Sequence, residues 1–169
     1  MKGNTAEYLV CYELQKNGIP VWQLGGNNKR WDLVFLAGED EFIPAQVKAR
    51  SQTTVVFKKE DLIESKGYYF IWYDPINSNT KDKDGRVSYL EAATESILGA
   101  RSNSALLVFD SVSIMALCNK STSRPSNEGK SSISTNLTQP DIVAGLSQWK
   151  TFLATYAQKI KIIEEAEEE

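Results

Sequence analysis

The 169-residue sequence contains no histidine and only two cysteines. The absence of histidine excludes Ser-His-Asp and Cys-His nucleophilic sites, zinc sites built on imidazole ligands and nucleases that use an imidazole base. Cys11 and Cys118 are too few for a disulfide framework, and Cys11 lies in an apolar helical pattern where buried thiols are common. Any hydrolytic chemistry must therefore depend on carboxylates, lysine, tyrosine or a metal ion bound through oxygen.

The chain also lacks the excess of basic residues that is typical of proteins that only bind nucleic acid. It carries 19 lysines and arginines against 22 acids, but five of those acids lie in the last six residues, 164–169. We expect residues 1–163 to form a single, nearly neutral domain, followed by an acidic and solvated tail. No apolar signal region or membrane-spanning run is present, so a cytoplasmic location is expected.

Apolar periodicity predicts the order of helices and strands. A helix from Asn4 to Asn17 stops at Gly18 and is followed by strands at 19–24, 31–36 and 42–50, the last two forming an antiparallel hairpin. Further along we expect a helix at 57–65, a buried strand at 68–73, a helix at 89–98, a strand at 105–110, a polar loop at 119–139 and a helix from Ser147 onward. This order indicates an α/β fold in which helices flank a mixed sheet.

Polar residues on two neighbouring strands carry the candidate chemistry. In strand 42–50 the odd-numbered residues are apolar, whereas Gln46 and Lys48 share the opposite face, roughly 6–7 Å apart. Asp32 lies near the start of the preceding apolar strand, where an aspartate is costly to bury unless something binds it. If the two strands pair, Asp32 reaches the face of Gln46 and Lys48. A carboxylate, an amide oxygen and a main-chain carbonyl suit Mg²⁺, and a nearby lysine orients a water molecule or stabilises developing charge.

Three segments resemble the PD-(D/E)XK endonuclease superfamily: GNTAEYLV at 3–10, WDLV at 31–34 and AQVKAR at 45–50. The Gln-Val-Lys version is similar to the branch that contains small group I intron homing endonucleases, and also to archaeal Holliday-junction resolvases. The resemblance covers roughly the first 75 residues. It implies a restriction-endonuclease-like core with the order αβββαβ. The chain departs from the family in having Gln46 in place of the second acid, and Trp31 in place of the proline that precedes the aspartate.

The resemblance also implies a set of site residues and an activity. Its metal ligands are Asp32, Gln46, the carbonyl of Val47 and, from the first helix, Glu7, with Lys48 as the catalytic lysine. The ion is Mg²⁺, for which Mn²⁺ substitutes. The implied activity is endonucleolytic hydrolysis of duplex or branched DNA by a homo-oligomer, for which the apolar C-terminal helix is one candidate interface.

Each of these residues also has a plainer interpretation. Glu7 fits a capping box with Asn4, Asp32 fits a strand end, and Lys48 fits a solvated strand lysine. The basic residues near the site in sequence either contact phosphates or only keep the protein in solution: Lys29, Arg30, Arg50, Lys58 and Lys59. The sequence thus leaves open a Mg²⁺-dependent endonuclease, a nuclease-type toxin or tRNA-cleaving domain, and a non-catalytic nucleic-acid or protein-binding module with the same fold.

Overall fold

The computed structural model describes residues 3–25, 30–50, 54–62, 67–73, 105–121 and 132–167. The helices of these ranges are α1 (Gly3–Lys16), α2 (Ser111–Ser121) and α3 (Gln139–Glu167), and a 3₁₀ turn spans Lys59–Leu62. The strands are β1 (Val21–Gln23), β2 (Leu33–Leu36), β3 (Phe42–Arg50), β4 (Thr54–Lys58), β5 (Tyr68–Tyr73), β6 (Ala105–Asp110) and β7 (Ser132–Asn136). None of the described helices combines the length and apolarity needed to cross a membrane.

Five strands form one mixed sheet in the order β1-β2-β3-β5-β6. β3 and β5 run parallel, and the other neighbouring pairs are antiparallel. The predicted β2–β3 hairpin is confirmed, with Leu33 opposite Ala45 and Leu36 opposite Phe42. Because helices pack on this sheet, the predicted α/β fold class is confirmed as well.

Two clusters of buried residues cover the two faces of the sheet. On the α1 face, which carries Leu33, Ala45 and Phe70, the sheet is covered by the buried stripe of α1 and by the later turns of α3. On the ribbon face, which carries Tyr69 and Leu107, it is covered by α2 and by a separate two-stranded ribbon, β4–β7. The alternation of side chains along each strand decides which cluster a residue joins.

The apolar side of α3 serves the chain's own core. Ile142 joins the cluster on the ribbon face, whereas Trp149, Phe152 and Tyr156 join the cluster on the α1 face, so the helix passes over the β6 edge of the sheet. Gly145 permits this close passage, because a Cβ there would lie 2.8 Å from the Phe109 ring and 2.9 Å from the Leu107 Cβ. Most apolar residues of α3 are therefore buried within the chain, whereas Ile162 is 58% exposed.

The start of α3 was predicted too late. The helix begins at Gln139 rather than Ser147. Both the N–H and the hydroxyl of Thr138 donate to Asp141 Oδ2, at 2.8 and 2.6 Å, so the acid of the first turn reaches back to the N-cap residue as in one half of a capping box. At its other end α3 continues to Glu167, so the predicted acidic tail begins within a helix, where Glu164 and Glu165 are exposed.

Two further predictions were wrong in detail. The helix expected at 57–65 does not form over its first residues, because Phe57 and Lys58 complete β4 and a 3₁₀ turn follows. The loop expected at 119–139 contains the end of α2 and the strand β7, in which Ile133 and Thr135 are buried. The expected helix at 89–98 lies outside the described residues.

Candidate metal-dependent site

Asp32 stands where the chain enters β2, and both its main chain and its side chain are held. Its N–H donates to the Ala45 carbonyl at 3.0 Å, and its carbonyl accepts from the Leu24 N–H at 2.8 Å. Its carboxylate Oδ2 accepts from the Val47 N–H at 2.7 Å. The carboxylate thus accepts a main-chain N–H of β3 in place of the carbonyl of a neighbouring strand. This hydrogen bond fixes the position of the carboxylate relative to β3.

The strand register brings Gln46 and Lys48 to Asp32. Asp32 directly precedes the Leu33–Ala45 pair, and its carboxylate accepts the N–H of Val47, the residue between Gln46 and Lys48. Ala45 and Val47 belong to the cluster on the α1 face, so Gln46 and Lys48 stand on the ribbon face. Gln46 is only 5% exposed, and Lys48 is half-buried. The structure therefore places Gln46 and Lys48 together on the ribbon face, with the Asp32 carboxylate hydrogen-bonded to the main chain of the residue between them.

Glu7 lies near Asp32 and belongs to α1, the helix that covers the face opposite to Gln46 and Lys48. Ala6 and Val10 are fully buried on the side of α1 that packs on the sheet, and Glu7 is half-buried at the border of that side. Burial and the nearby negative charge of Asp32 raise the pKa of Glu7. Two carboxylates that repel each other in a half-buried position favour a proton or a cation between them. Burial and the charge of Glu7 in turn raise the pKa of the Cys11 thiol, which argues against a reactive thiolate there.

Trp31 packs beside the candidate site, in contacts that the sequence did not indicate. Its ring lies 6.0 Å from the ring of Tyr69, measured between centroids, and Tyr69 is paired with Gln46 across β3 and β5. A Cβ on Gly67 would lie 2.5 Å from Trp31 Cη2, so the tryptophan packs directly on the backbone of that glycine. A glycine just before an apolar strand was the one available signal for such a close approach.

The predicted phosphate contacts are not all gathered at the site. Arg50 follows Lys48 on the ribbon face, where its Nη1 donates to the Ala49 carbonyl at 2.7 Å and burial lowers its pKa. Arg30 donates to the Glu60 carbonyl at 3.1 Å, and the Lys58 ammonium lies 3.9 Å from the Glu60 carboxylate. Lys59 is exposed beside them, and Lys29 lies outside the described residues.

The donor set fits a hard cation with few charged ligands. Across the described ranges, no group of three or more histidine, cysteine, aspartate or glutamate side chains is placed to hold a metal ion. The site offers instead the carboxylates of Asp32 and Glu7, the amide oxygen of Gln46 and main-chain carbonyls. Mg²⁺ accepts such oxygen ligands and keeps several waters or substrate oxygens, so two carboxylates are sufficient in number.

Comparisons with known proteins find a likeness among solved structures. No protein-family model and no curated protein matches the chain. Among solved structures, the fold is similar to that of Hjc, a Holliday junction resolvase from the archaeal hyperthermophile Archaeoglobus fulgidus. The TM-score is 0.46 and the identity is 12%, over 85% of this chain and 96% of that chain. A likeness of this size leaves the function to be inferred from the site.

Proposed function

We propose that the chain is a divalent-metal-dependent endonuclease that hydrolyses phosphodiester bonds of DNA. The observation that supports this function is the electrostatic coupling of Glu7 with Asp32, whose carboxylate accepts the N–H of Val47, the residue between Gln46 and Lys48. The same residues carry the sequence resemblance to PD-(D/E)XK endonucleases. Neither the fold nor the composition would by itself suggest this chemistry.

The residues divide into ligands and a charge-stabilising group. Asp32, Glu7, Gln46 and the Val47 carbonyl would hold Mg²⁺ or Mn²⁺. The bound ion supplies an acidified water molecule and neutralises charge on the attacked phosphate. Lys48, half-buried on the face that carries Gln46, orients the water or stabilises the charge that develops on the phosphate oxygens. Because Asp32 is already fixed by hydrogen bonds to three neighbours, little rearrangement is needed before reaction.

A single site of this kind cuts one strand. Cleavage of both strands of a duplex, or symmetric cleavage of a branched junction, therefore calls for two copies related by two-fold symmetry. The proposed protein is accordingly a homo-oligomer on DNA. Most of the apolar side of α3 packs in the chain's own core, so a contact between copies through this helix would involve its exposed Ile162.

A nicking assay on supercoiled plasmid and on four-way junction DNA tests the proposal. We expect cleavage with Mg²⁺ or Mn²⁺ and none with EDTA. Ca²⁺ should support binding without turnover, because it fits oxygen ligands but activates water poorly. Lys48→Ala should abolish cleavage while the protein stays folded, and Lys159→Ala, an exposed lysine on α3, is the matched control. Cleavage in EDTA, or full activity of Lys48→Ala, would contradict the mechanism.

A non-catalytic DNA-binding module is the second candidate, and Gln46 is the observation that favours it. The amide stands where the resembled family has a charged ligand, which leaves two carboxylates in the described site. This candidate predicts DNA binding that Mg²⁺ and Mn²⁺ do not convert into cleavage. The same nicking assay, run beside a binding assay, separates the two functions.

A further inference from the structure

The β4–β7 ribbon lies beside the candidate site, to which two contacts connect it. Phe57, on the inner side of the ribbon, packs edge-on against Tyr69 at 5.7 Å between ring centroids, and Tyr69 contacts Trp31, the neighbour of Asp32. Arg30, two residues before Asp32, donates to the Glu60 carbonyl just after the ribbon. The ribbon therefore flanks the site on the sheet face that carries Gln46 and Lys48.

The outer side of the ribbon is built from small hydrogen-bonding side chains. Val55, Phe57 and Ile133 point inward and are buried. The residues that point outward form three cross-strand pairs: Thr54 with Asn136, Val56 with Ser134, and Lys58 with Ser132. All of them are exposed except Ser132, which is half-buried. The Thr54 hydroxyl lies 2.6 Å from Asn136 Oδ1. Four of the six outward residues thus offer a hydroxyl or an amide, and charge is concentrated at the Lys58 end.

These features match the surface that a double helix needs more closely than the surface that a protein partner needs. Protein interfaces are rich in aromatic anchors, and the outward side of this ribbon has none. The B-DNA major groove admits a two-stranded ribbon, and serine, threonine and asparagine hydrogen-bond to base edges there. Five strand residues span about 16 Å, close to the rise of about five base pairs. Small side chains also allow the strands to approach the bases closely.

We infer that the outward side of β4–β7, with Thr54, Ser134 and Asn136 as its contacts, binds the major groove of the DNA duplex beside the cleaved phosphate. Lys58, Lys59 and Arg30 contact the backbone between this groove and the site. The inference rests on the proposed nuclease function and names its substrate: duplex DNA arms rather than RNA, whose A-form major groove is too narrow for side chains to read.

Two charge-introducing substitutions test the surface, with a matched control. Thr54→Asp and Ser134→Asp place a carboxylate against the DNA, whereas Thr155→Asp makes the same change at an exposed position of α3, in the part that packs on the opposite face of the sheet. Fluorescence anisotropy with a labelled DNA duplex in Ca²⁺ gives the dissociation constant. We expect it to rise about tenfold in the first two variants and to stay at the wild-type value in Thr155→Asp. In cleavage assays with Mg²⁺, KM should rise while kcat is retained.

Milder substitutions keep the test decisive if an aspartate prevents folding. Lys58→Ala should reduce the slope of log K against log salt by about 1, because it removes a phosphate contact. Ser134→Ala and Asn136→Ala should leave that slope unchanged and alter the preference among duplex sequences. If the wild type cleaves DNA but all the ribbon variants bind as it does, or if it binds an RNA duplex as tightly as DNA, the groove contact is refuted and the nuclease function stands. A wild type that neither binds nor cleaves DNA overturns both.

Discussion

Replacing Asp32 should separate its structural role from its role as a ligand. In Asp32→Ala, the Val47 N–H loses the acceptor that lies 2.7 Å away, in a residue that is only 8% exposed. In Asp32→Asn, an amide oxygen remains within reach of that N–H, but the negative charge is lost. The first variant tests the anchor between β2 and β3, and the second tests the charge.

The expected loss of stability follows from the hydrogen bond. A hydrogen bond to a charged group contributes about 1.5–3 kcal/mol, and relief of the repulsion with Glu7 offsets a part of this loss. We expect Asp32→Ala to lower the free energy of unfolding by about 1–3 kcal/mol. In a chain of 169 residues, each kcal/mol shifts Tm by about 2–4 °C, so Tm should fall by about 2–12 °C in EDTA. Asp32→Asn should stay within about 4 °C of the wild type, because a neutral hydrogen bond replaces the charged one.

Metal ions reveal the second role in the same melting experiment. An ion at about 100 times its Kd stabilises the folded state by about 2.7 kcal/mol, which corresponds to a rise in Tm of about 5–11 °C. The wild type should show this rise with Mn²⁺, and neither Asp32 variant should. Asp40→Asn, at the exposed turn of the same hairpin, removes one negative charge away from the site and should keep the full shift.

Two results would refute this reasoning about Asp32. An unchanged Tm of Asp32→Ala in EDTA would mean that the bond to Val47 does not hold the hairpin end. A full Mn²⁺ shift in Asp32→Asn would mean that the carboxylate is not a ligand. Circular dichroism melts with and without Mn²⁺ provide both measurements on the same samples.

Three further predictions concern residues around Asp32. Because the raised pKa of Glu7 makes its ionised form unfavourable, the stability of the protein in EDTA should fall as the pH rises through that pKa. Glu7→Gln should therefore raise Tm at neutral pH, but it should give no gain in Tm below pH 4.5, the ordinary pKa of a glutamate. Gln46→Glu adds a third carboxylate to a buried position, so Tm should fall in EDTA, while calorimetric titration should show tighter Mn²⁺ binding than in wild type; identical isotherms would reject Gln46 as a ligand. Gly67→Ala forces Trp31 away from its position, which should lower the free energy of unfolding by roughly 1–3 kcal/mol through overpacking and should also lower kcat of the folded enzyme. An unchanged kcat would show that Trp31 does not position Asp32.

The parts of the fold that the sequence predicted best are those in which one physical signal dominates. β3, β5 and β6 have the predicted bounds, because continuous apolar or alternating runs end at charged or polar residues. Gly18 stops α1 with a φ of 77°, a conformation that other residues rarely adopt. In these segments local sequence and tertiary packing favour the same structure, so a local pattern is sufficient.

The errors occur where distant contacts decide the structure. The helix predicted at 57–65 overlaps the end of β4, a strand that is completed by pairing with β7, more than seventy residues away. The 29-residue α3 contains Gly145 in its interior, a residue that is unfavourable in helices but required here by the Phe109 and Leu107 side chains. The apolar periodicity of a segment gives no information about such contacts with distant parts of the chain.

The candidate site shows the same contrast between local signals and distant contacts, and its structure reconciles the two interpretations of Asp32. From the sequence, Asp32 was either a strand-end residue or a metal ligand. The structure shows that Asp32 lies at the N-terminal end of β2, where one of its carboxylate oxygens accepts the Val47 N–H. A carboxylate has about four acceptor positions on its two oxygens, so this bond leaves capacity for a cation. The strand-end role also fixes the carboxylate in place, which is what a ligand requires. The plain interpretation of Asp32 therefore supports the functional one rather than competing with it.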